Sequence, residues 1–122
     1  MDYSKMSDFE INRAVAIAKG FPPDYCDIAK RGASLVGVEW NDDTGHATKV
    51  FDYCNRPADA WPIIVENGIG IKKQSNGMWC ATRQGGLYPQ YHENPLRAAM
   101  VVFLQMQESA NVPANSTGSD LR

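Results

Sequence analysis

The chain has 122 residues, of which 43% are hydrophobic and 21% charged, and its formal net charge is −2. This composition is typical of one globular domain with its own core, and it argues against wholesale disorder and against a membrane protein. Because the charges are interspersed rather than gathered on a basic face, duplex nucleic acid is not an expected partner. The three cysteines are widely spaced, so neither a disulfide framework nor a zinc site is predicted.

The first predicted element is a helix that begins after Ser7 and ends near Gly20. Ser7 and Glu10 have the spacing of a capping box, in which each side chain accepts a backbone N–H at the helix start. Apolar residues then recur at helical spacing and form one face: Ile11, Ala14, Val15 and Ala18.

A β-hairpin is predicted next, with strands at residues 34–40 and 46–53 around a polar turn. The period of two places Val36, Val38 and Trp40 on one side of the first strand. A second helix follows, capped by Asn55 or Asp59 and running through residue 67.

Pro62 lies inside this second helix, where it removes one backbone hydrogen bond, so a kink or a restarted helix is expected. Trp61 and Trp79 are interpreted as core residues, because each lies in an amphipathic element where a large ring fills volume.

The Asn76-Gly77 pair predicts a second hairpin, with strands at residues 69–74 and 78–83. A polar loop is predicted over residues 84–92. The last helix, residues 94–108, begins with Asn94 as N-cap and Pro95 at the first helical position, and it is apolar on nearly every side, which predicts burial.

These elements predict an α+β domain over residues 1–109, in the order α-ββ-α-ββ-α. Three helices pack on one antiparallel sheet of about four strands. Residues 110–122 are polar and are expected to form a flexible tail.

Three stretches together resemble the NinX-like family of small phage and prophage proteins, and more loosely the phage α-β-α sandwich domain. They are residues 1–12 (MDYSKMSDFEIN), 52–64 (DYCNRPADAWPII) and 94–100 (NPLRAAM). The resemblance implies a phage accessory protein of the host bacterial cytoplasm, a location consistent with an N-terminus that lacks a secretion-signal pattern. It supplies no catalytic residues.

The residues themselves offer no catalytic or metal-binding constellation, and no cofactor is expected. His46 and His92 are the only histidines, and neither has a second ligand at metal spacing.

The predicted ligand site is instead the segment that joins a strand to the last helix, together with the junction that precedes the second helix. A helix N-terminus favours anions, tyrosines stack on flat bases, and arginines bind phosphate oxygens. The candidate residues are Arg83, Tyr88, Tyr91, His92 and Asn94 in the first segment, and Tyr53, Asn55 and Arg56 in the second. The alternative is that the tyrosines only pack the loop and Asn94 only caps the helix.

The favoured function is non-enzymatic binding of a small nucleotide-like ligand, in the manner of a counter-defence protein that sequesters a host signal. The first alternative is a protein-interaction module that alters a replication or recombination protein, and the least favoured is a phosphoesterase. A site shared between subunits of a homo-oligomer would suit so short a chain.

Overall fold

The computed structural model describes residues 2–110, and the predicted tail from residue 111 onward lies outside the described residues. The helices are α1 (Asp8–Ala18), α2 (Pro57–Glu66) and α3 (Pro95–Ala110). The strands are β1 (Asp27–Ile28), β2 (Val36–Trp40), β3 (Ala47–Phe51), β4 (Gly70–Lys73), β5 (Trp79–Arg83) and β6 (Leu87–His92). Short 3-10 turns lie at Tyr3–Lys5 and Pro23–Tyr25.

The strands form two antiparallel sheets, with the orders β1-β2-β3 and β4-β5-β6. The α+β class and the three helices are therefore confirmed, but the prediction of one four-stranded sheet is wrong. Helix α3 is the central element, since it packs against β5 and β6 and also against α1 and α2, while α1 packs against β2.

Both terminal helices begin as predicted. The Ser7 side chain accepts the Glu10 N–H and the Glu10 carboxylate accepts the Ser7 N–H, which completes the capping box of α1. The Asn94 side chain accepts the N–H groups of Leu96 and Arg97 and so caps α3. Every residue from 97 to 104 in α3 is buried, which confirms that this helix is covered on all sides.

The prediction of a loop over residues 84–92 is wrong, because most of this segment forms strand β6. Gly85 and Gly86 both have positive φ, so the chain reverses tightly after β5 and returns antiparallel to it. Pro89 is a poor strand residue, but β6 is a sheet edge, where a residue without an N–H is tolerated. Two further differences from the predicted elements have local causes. Strand β1 has only two residues, too few for a pattern, and Arg56 rather than Asn55 or Asp59 is the N-cap of α2.

Helix α2 continues through Pro62 without a break. The prediction that Trp61 is a core residue is wrong, because Trp61 lies on the outward side of α2 and is 60% exposed. Trp79 is half-buried in β5.

A bulge in β2 turns Trp40 away from the face predicted for it. The pairing with β3 shifts register between Gly37 and Trp40, and the Trp40 ring consequently lies over Gly37 rather than beside Val36 and Val38. A Cβ atom on Gly37 would lie 2.7 Å from Cζ2 of Trp40 and 2.8 Å from the Cβ atom of Ala47. No larger residue fits this position without displacement of the ring.

Gly37→Ala is therefore expected to lower the free energy of unfolding by about 1–3 kcal/mol, the usual cost of overpacking, as measured by urea denaturation. The matched control is Gly70→Ala in β4, where the nearest atom to an added Cβ is Thr82 Oγ1 at 3.6 Å. Equal losses in the two variants would contradict the steric explanation.

Candidate functional site

Asn94, the residue that opens α3, binds the junction before α2. Its Nδ2 donates to the Cys54 carbonyl at 2.7 Å and to Asn55 Oδ1 at 3.2 Å. The two segments predicted as ligand sites thus meet at this point, through Asn94 and Asn55. Both amides are used within the protein, as the alternative interpretation of Asn94 as a cap anticipated.

Asn55 belongs to a larger set of hydrogen-bonded side chains, which we call the junction network. Its members come from helices α1 and α3 and from the loops that precede β2, α2 and α3: Asp8, Asn12, Ser34, Asp52, Asn55, Asn94 and Arg97. The fully buried Asn12 is its centre. Nδ2 of Asn12 donates to the Ser34 carbonyl and to Asp52 Oδ1, each at 2.8 Å, and its Oδ1 accepts the Cys54 N–H at 2.9 Å.

Arg97 closes the other end of the junction network. This buried guanidinium pairs with Asp8 at 2.6 Å and donates to the carbonyls of Tyr3 and Met6. An arginine with carboxylate and carbonyl partners meets the requirement that a buried charge be paired. Arg97 therefore holds the N-terminal segment against the first turn of α3.

The tyrosines of β6 do not act together. The strand alternates, so Tyr88 packs against the core while Tyr91 is exposed on the opposite face. His92 Nδ1 accepts the Asn94 N–H, which gives the ring a structural partner. The cavity lined by Tyr91, His92 and Arg97 has a volume of only about 70 Å³, whereas small-molecule sites span roughly 300–1,000 Å³.

Arg83 lies far from Asn94, although its pairing with Leu87 places it near Tyr88. It lines a depression with Met106 and Gln107 near the end of α3, whereas Asn94 opens that helix. A separation of about 11 residues corresponds to roughly 17 Å along a helix. One small ligand therefore cannot contact both Arg83 and Asn94.

A larger space lies beside Tyr53, in a cleft that we call the α2 groove. Its volume is about 320 Å³, within the range for small-molecule sites. The rings of Phe21, Phe51 and Tyr53 form its apolar walls, and Ala58, Asp59, Pro62 and Ile63 of α2 and Lys19 complete it. Phe51 and Tyr53 stack with ring centroids 5.0 Å apart and planes 9° from parallel.

Asp59 in the α2 groove accepts the Asp52 N–H at 2.8 Å, but the hydroxyl of Tyr53 lacks the partner that a buried polar group usually has. Tyr53 is 3% exposed, and within residues 2–110 its hydroxyl makes no hydrogen bond. Burial, followed by the nearby Asp59 carboxylate and Cys26, raises the pKa of Tyr53, so the phenol stays a proton donor. Pro62 has no N–H to offer the Ala58 carbonyl one helical turn before it, which leaves an acceptor at the groove.

Cations lie at the edge of the α2 groove. Lys49 Nζ is 5.7 Å from the ring centroid of Phe21 and 5.8 Å from that of Phe51. Lys19 lines the groove and pairs with Glu66 at 3.0 Å, while Lys49 pairs with Glu39 at 3.9 Å. Both ion pairs are exposed, a situation in which such pairs contribute little, so the ammonium groups remain available to an anion. Arg56 is exposed at the start of α2.

Cys54, a buried free thiol in the junction before α2, is not an activated nucleophile. Burial, followed by the Asp8 carboxylate, raises the pKa of the Cys54 thiol, which stays protonated and unreactive at neutral pH. Among residues 2–110, no cluster of three or more metal-binding side chains occurs. In the same part of the chain no helix has the length and apolar character needed to cross a membrane.

Sequence reasoning missed the centre of the junction network, although a signal for it was present. Asn12 and Arg97 are polar residues at helix positions surrounded by apolar ones, where a side chain must find internal partners. A search for such isolated polar residues would have found both. It would not have found Asp52, which stands at the end of a strand, where polar residues are common.

Comparisons with known proteins support the resemblance of the three stretches. The family model described as Bacteriophage P22, NinX matches residues 2–107. A search of curated proteins and a search of solved structures each found no match. All three stretches contribute to the junction network: Asp8 and Asn12 from the first, Asp52 and Asn55 from the second, and Asn94 and Arg97 from the third.

Proposed function

The chain belongs to the Bacteriophage P22 NinX family, and we propose that it is a non-enzymatic binder of a small nucleotide-like ligand, which it holds in the α2 groove. The observation that carries this proposal is Tyr53, a buried residue that lines the α2 groove and whose hydroxyl has no hydrogen-bond partner among the described residues. A buried hydroxyl without a partner costs about 1–3 kcal/mol, and a ligand acceptor would remove that cost.

The groups around the α2 groove match the parts of a purine nucleotide. A flat base fits between apolar walls made of Phe21 and Pro62, with the Tyr53 hydroxyl donating to a ring nitrogen. An exocyclic amine would donate to the Ala58 carbonyl. The phosphate would lie toward Lys19 and Lys49, whose ammonium groups attract an anion without fixing its geometry.

The proposed site is therefore not at the start of α3 but at the other predicted segment, the junction before α2. Tyr53 is retained as a ligand residue. Asn55, His92 and Asn94 become supporting residues, since their polar atoms already bind the protein. Arg83 is left out because it lies near the other end of α3.

A binder with no catalytic group would act by lowering the free concentration of its ligand. Sequestration of a host nucleotide signal in this way remains our favoured role, and it requires the protein to be present in amounts comparable to those of the ligand. A second candidate function, a protein-interaction module, is supported by the exposed Trp61 and Val65 side chains of α2.

Tyr53→Phe provides the test. We expect the variant to bind adenosine monophosphate, a cyclic dinucleotide or ADP-ribose, whichever the natural protein binds, about tenfold more weakly. That factor corresponds to about 1.4 kcal/mol, the size of one hydrogen bond. Its free energy of unfolding without ligand should be unchanged or up to about 1 kcal/mol higher, because an unpartnered hydroxyl has been removed. Calorimetric titration and urea denaturation measure the two quantities.

Tyr25→Phe is the matched control, since Tyr25 is exposed and lies outside the α2 groove, and it should leave both quantities unchanged. If no ligand of the panel binds the natural protein, or if Tyr53→Phe binds as tightly as the natural protein does, the proposal is wrong.

A further inference from the structure

The outward side of α2 carries an apolar surface that no described residue covers. Ala58, Trp61, Pro62 and Val65 follow the i, i+3, i+4, i+7 spacing that places side chains on one helical face, and we call this surface the α2 stripe. All four residues are exposed, including 60% of Trp61 and 59% of Val65. The opposite face of the helix supplies Ala60, Ile63 and Ile64 to the core, so the exposure does not result from a misplaced helix.

We propose that the α2 stripe is the interface of a symmetric homodimer, in which a second copy packs its own α2 antiparallel to this one. A two-fold axis between Trp61 and Pro62 would place Ala58 of each copy opposite Val65 of the other. Each indole would then lie against the proline of the second copy. Such isologous contacts, in which one patch pairs with itself, are the commonest form of homodimer interface.

The charges at the two ends of α2 favour a second copy over an unrelated protein. Arg56, at the start of the helix, has no ion pair or side-chain hydrogen bond with any residue from 2 to 110. Glu66 ends the helix, and its only ion pair in this part of the chain is the exposed one with Lys19. Antiparallel packing brings Arg56 of each copy to the level of Glu66 of the other, twice per dimer. A helix whose ends carry opposite charges is complementary to itself in this orientation.

The size of the α2 stripe sets the expected affinity. A single aromatic residue buries about 150–250 Å², so four small or partly exposed side chains supply a few hundred Å² per copy. Stable interfaces bury about 800 Å² per partner. The dimer is therefore expected to be weak, with a dissociation constant in the micromolar range, and to depend on protein concentration.

Sedimentation equilibrium of the full chain tests this between roughly 10 µM and 1 mM, a range that brackets a dissociation constant on the order of 100 µM. The weight-average mass should rise from 13.5 kDa for one chain toward twice that value. Trp61→Glu should hold the mass at one chain over the whole range. Leu87→Glu, at an exposed apolar residue of β6, is the matched control and should dimerise as the natural protein does.

Exchanging the charges of Arg56 and Glu66 tests whether the two α2 helices of the dimer pack antiparallel. Arg56→Glu and Glu66→Arg should each weaken the dimer several-fold, and the double variant should recover at least half of the loss, because the exchanged charges again meet across the axis. A mass that stays at one chain up to 1 mM would overturn the proposal. So would equal weakening by Trp61→Glu and Leu87→Glu, or a double variant weaker than both single ones. These experiments contain no nucleotide, so their outcome does not depend on ligand binding. Ala58 and Pro62 also line the α2 groove, so the ligand titrations are repeated with Trp61→Glu, a substitution outside the groove that is expected to keep the chain monomeric.

Discussion

Asn12→Leu should lower the free energy of unfolding by about 3–5 kcal/mol, which for a domain of this size is a fall in Tm of roughly 10–20 °C. Leucine has the branched shape of asparagine and a larger volume, so the substitution leaves no cavity, and the loss reports the hydrogen bonds together with any overpacking. The substitution deprives the Ser34 carbonyl, the Asp52 carboxylate and the Cys54 N–H of a partner in one step. All three groups lie where little water can replace that partner, and urea denaturation measures the result.

The matched control is Asn41→Leu. Oδ1 of Asn41 accepts two backbone N–H groups, from Asp43 and Thr44, but the residue is exposed in the turn before β3. Water can take over both bonds, so a loss of about 1 kcal/mol is expected there. A loss at Asn12 no larger than that at Asn41 would show that the junction network contributes little to stability.

Arg97→Met is the second large effect, with an expected loss of about 2–3 kcal/mol in the free energy of unfolding. The methionine keeps most of the apolar stem but leaves the Asp8 carboxylate and the carbonyls of Tyr3 and Met6 without their donor. Arg97 is buried, but the side chain of Asp8 is 34% exposed, so water can partly solvate the carboxylate that remains and the cost falls below that of breaking a fully buried ion pair. Amide hydrogen exchange should also accelerate in the segment before α1, which Arg97 holds in place.

Lys5→Met removes a charge from the same segment and serves as the control, since Lys5 lies 4.0 Å from Asp2 in a highly exposed pair. It should change the free energy of unfolding by less than about 0.5 kcal/mol. If Arg97→Met costs less than 1 kcal/mol, or leaves exchange before α1 unchanged, Arg97 does not hold that segment.

The elements with strong local signals were predictable from the sequence. The Ser7 capping box, the Asn76-Gly77 turn and the Asn94-Pro95 start each depend on a few neighbouring residues, and each is confirmed. Strand β6 was missed because Pro89 is a poor strand residue except at an edge, and edge position is a property of the whole sheet. The division into two sheets likewise depends on tertiary packing, in which α3 packs against β5 and β6 while α1 packs against β2, and no local pattern reveals it.

The ligand site was harder to predict than the fold. In a loop, as predicted, Tyr88 and Tyr91 could contact one ligand together. In strand β6 they lie on opposite faces and cannot. The α2 groove brings Phe21, Phe51 and Pro62 together from three elements, and nothing in their spacing along the chain indicates that they meet. Tyr53 and Asn55 were found because a polar junction before a helix is visible locally.

The order in which the chain is synthesised has a consequence for Arg97. Its bonds to Asp8 and Tyr3 span 89 and 94 positions in sequence. On a ribosome, Tyr3 and Asp8 leave the exit tunnel long before Arg97 and cannot make these bonds until Arg97 has also emerged. Because contacts of such long range form late and slowly, nascent chains arrested before residue 97 should leave their N-terminal segment open to proteases. Release of the finished chain should then protect it.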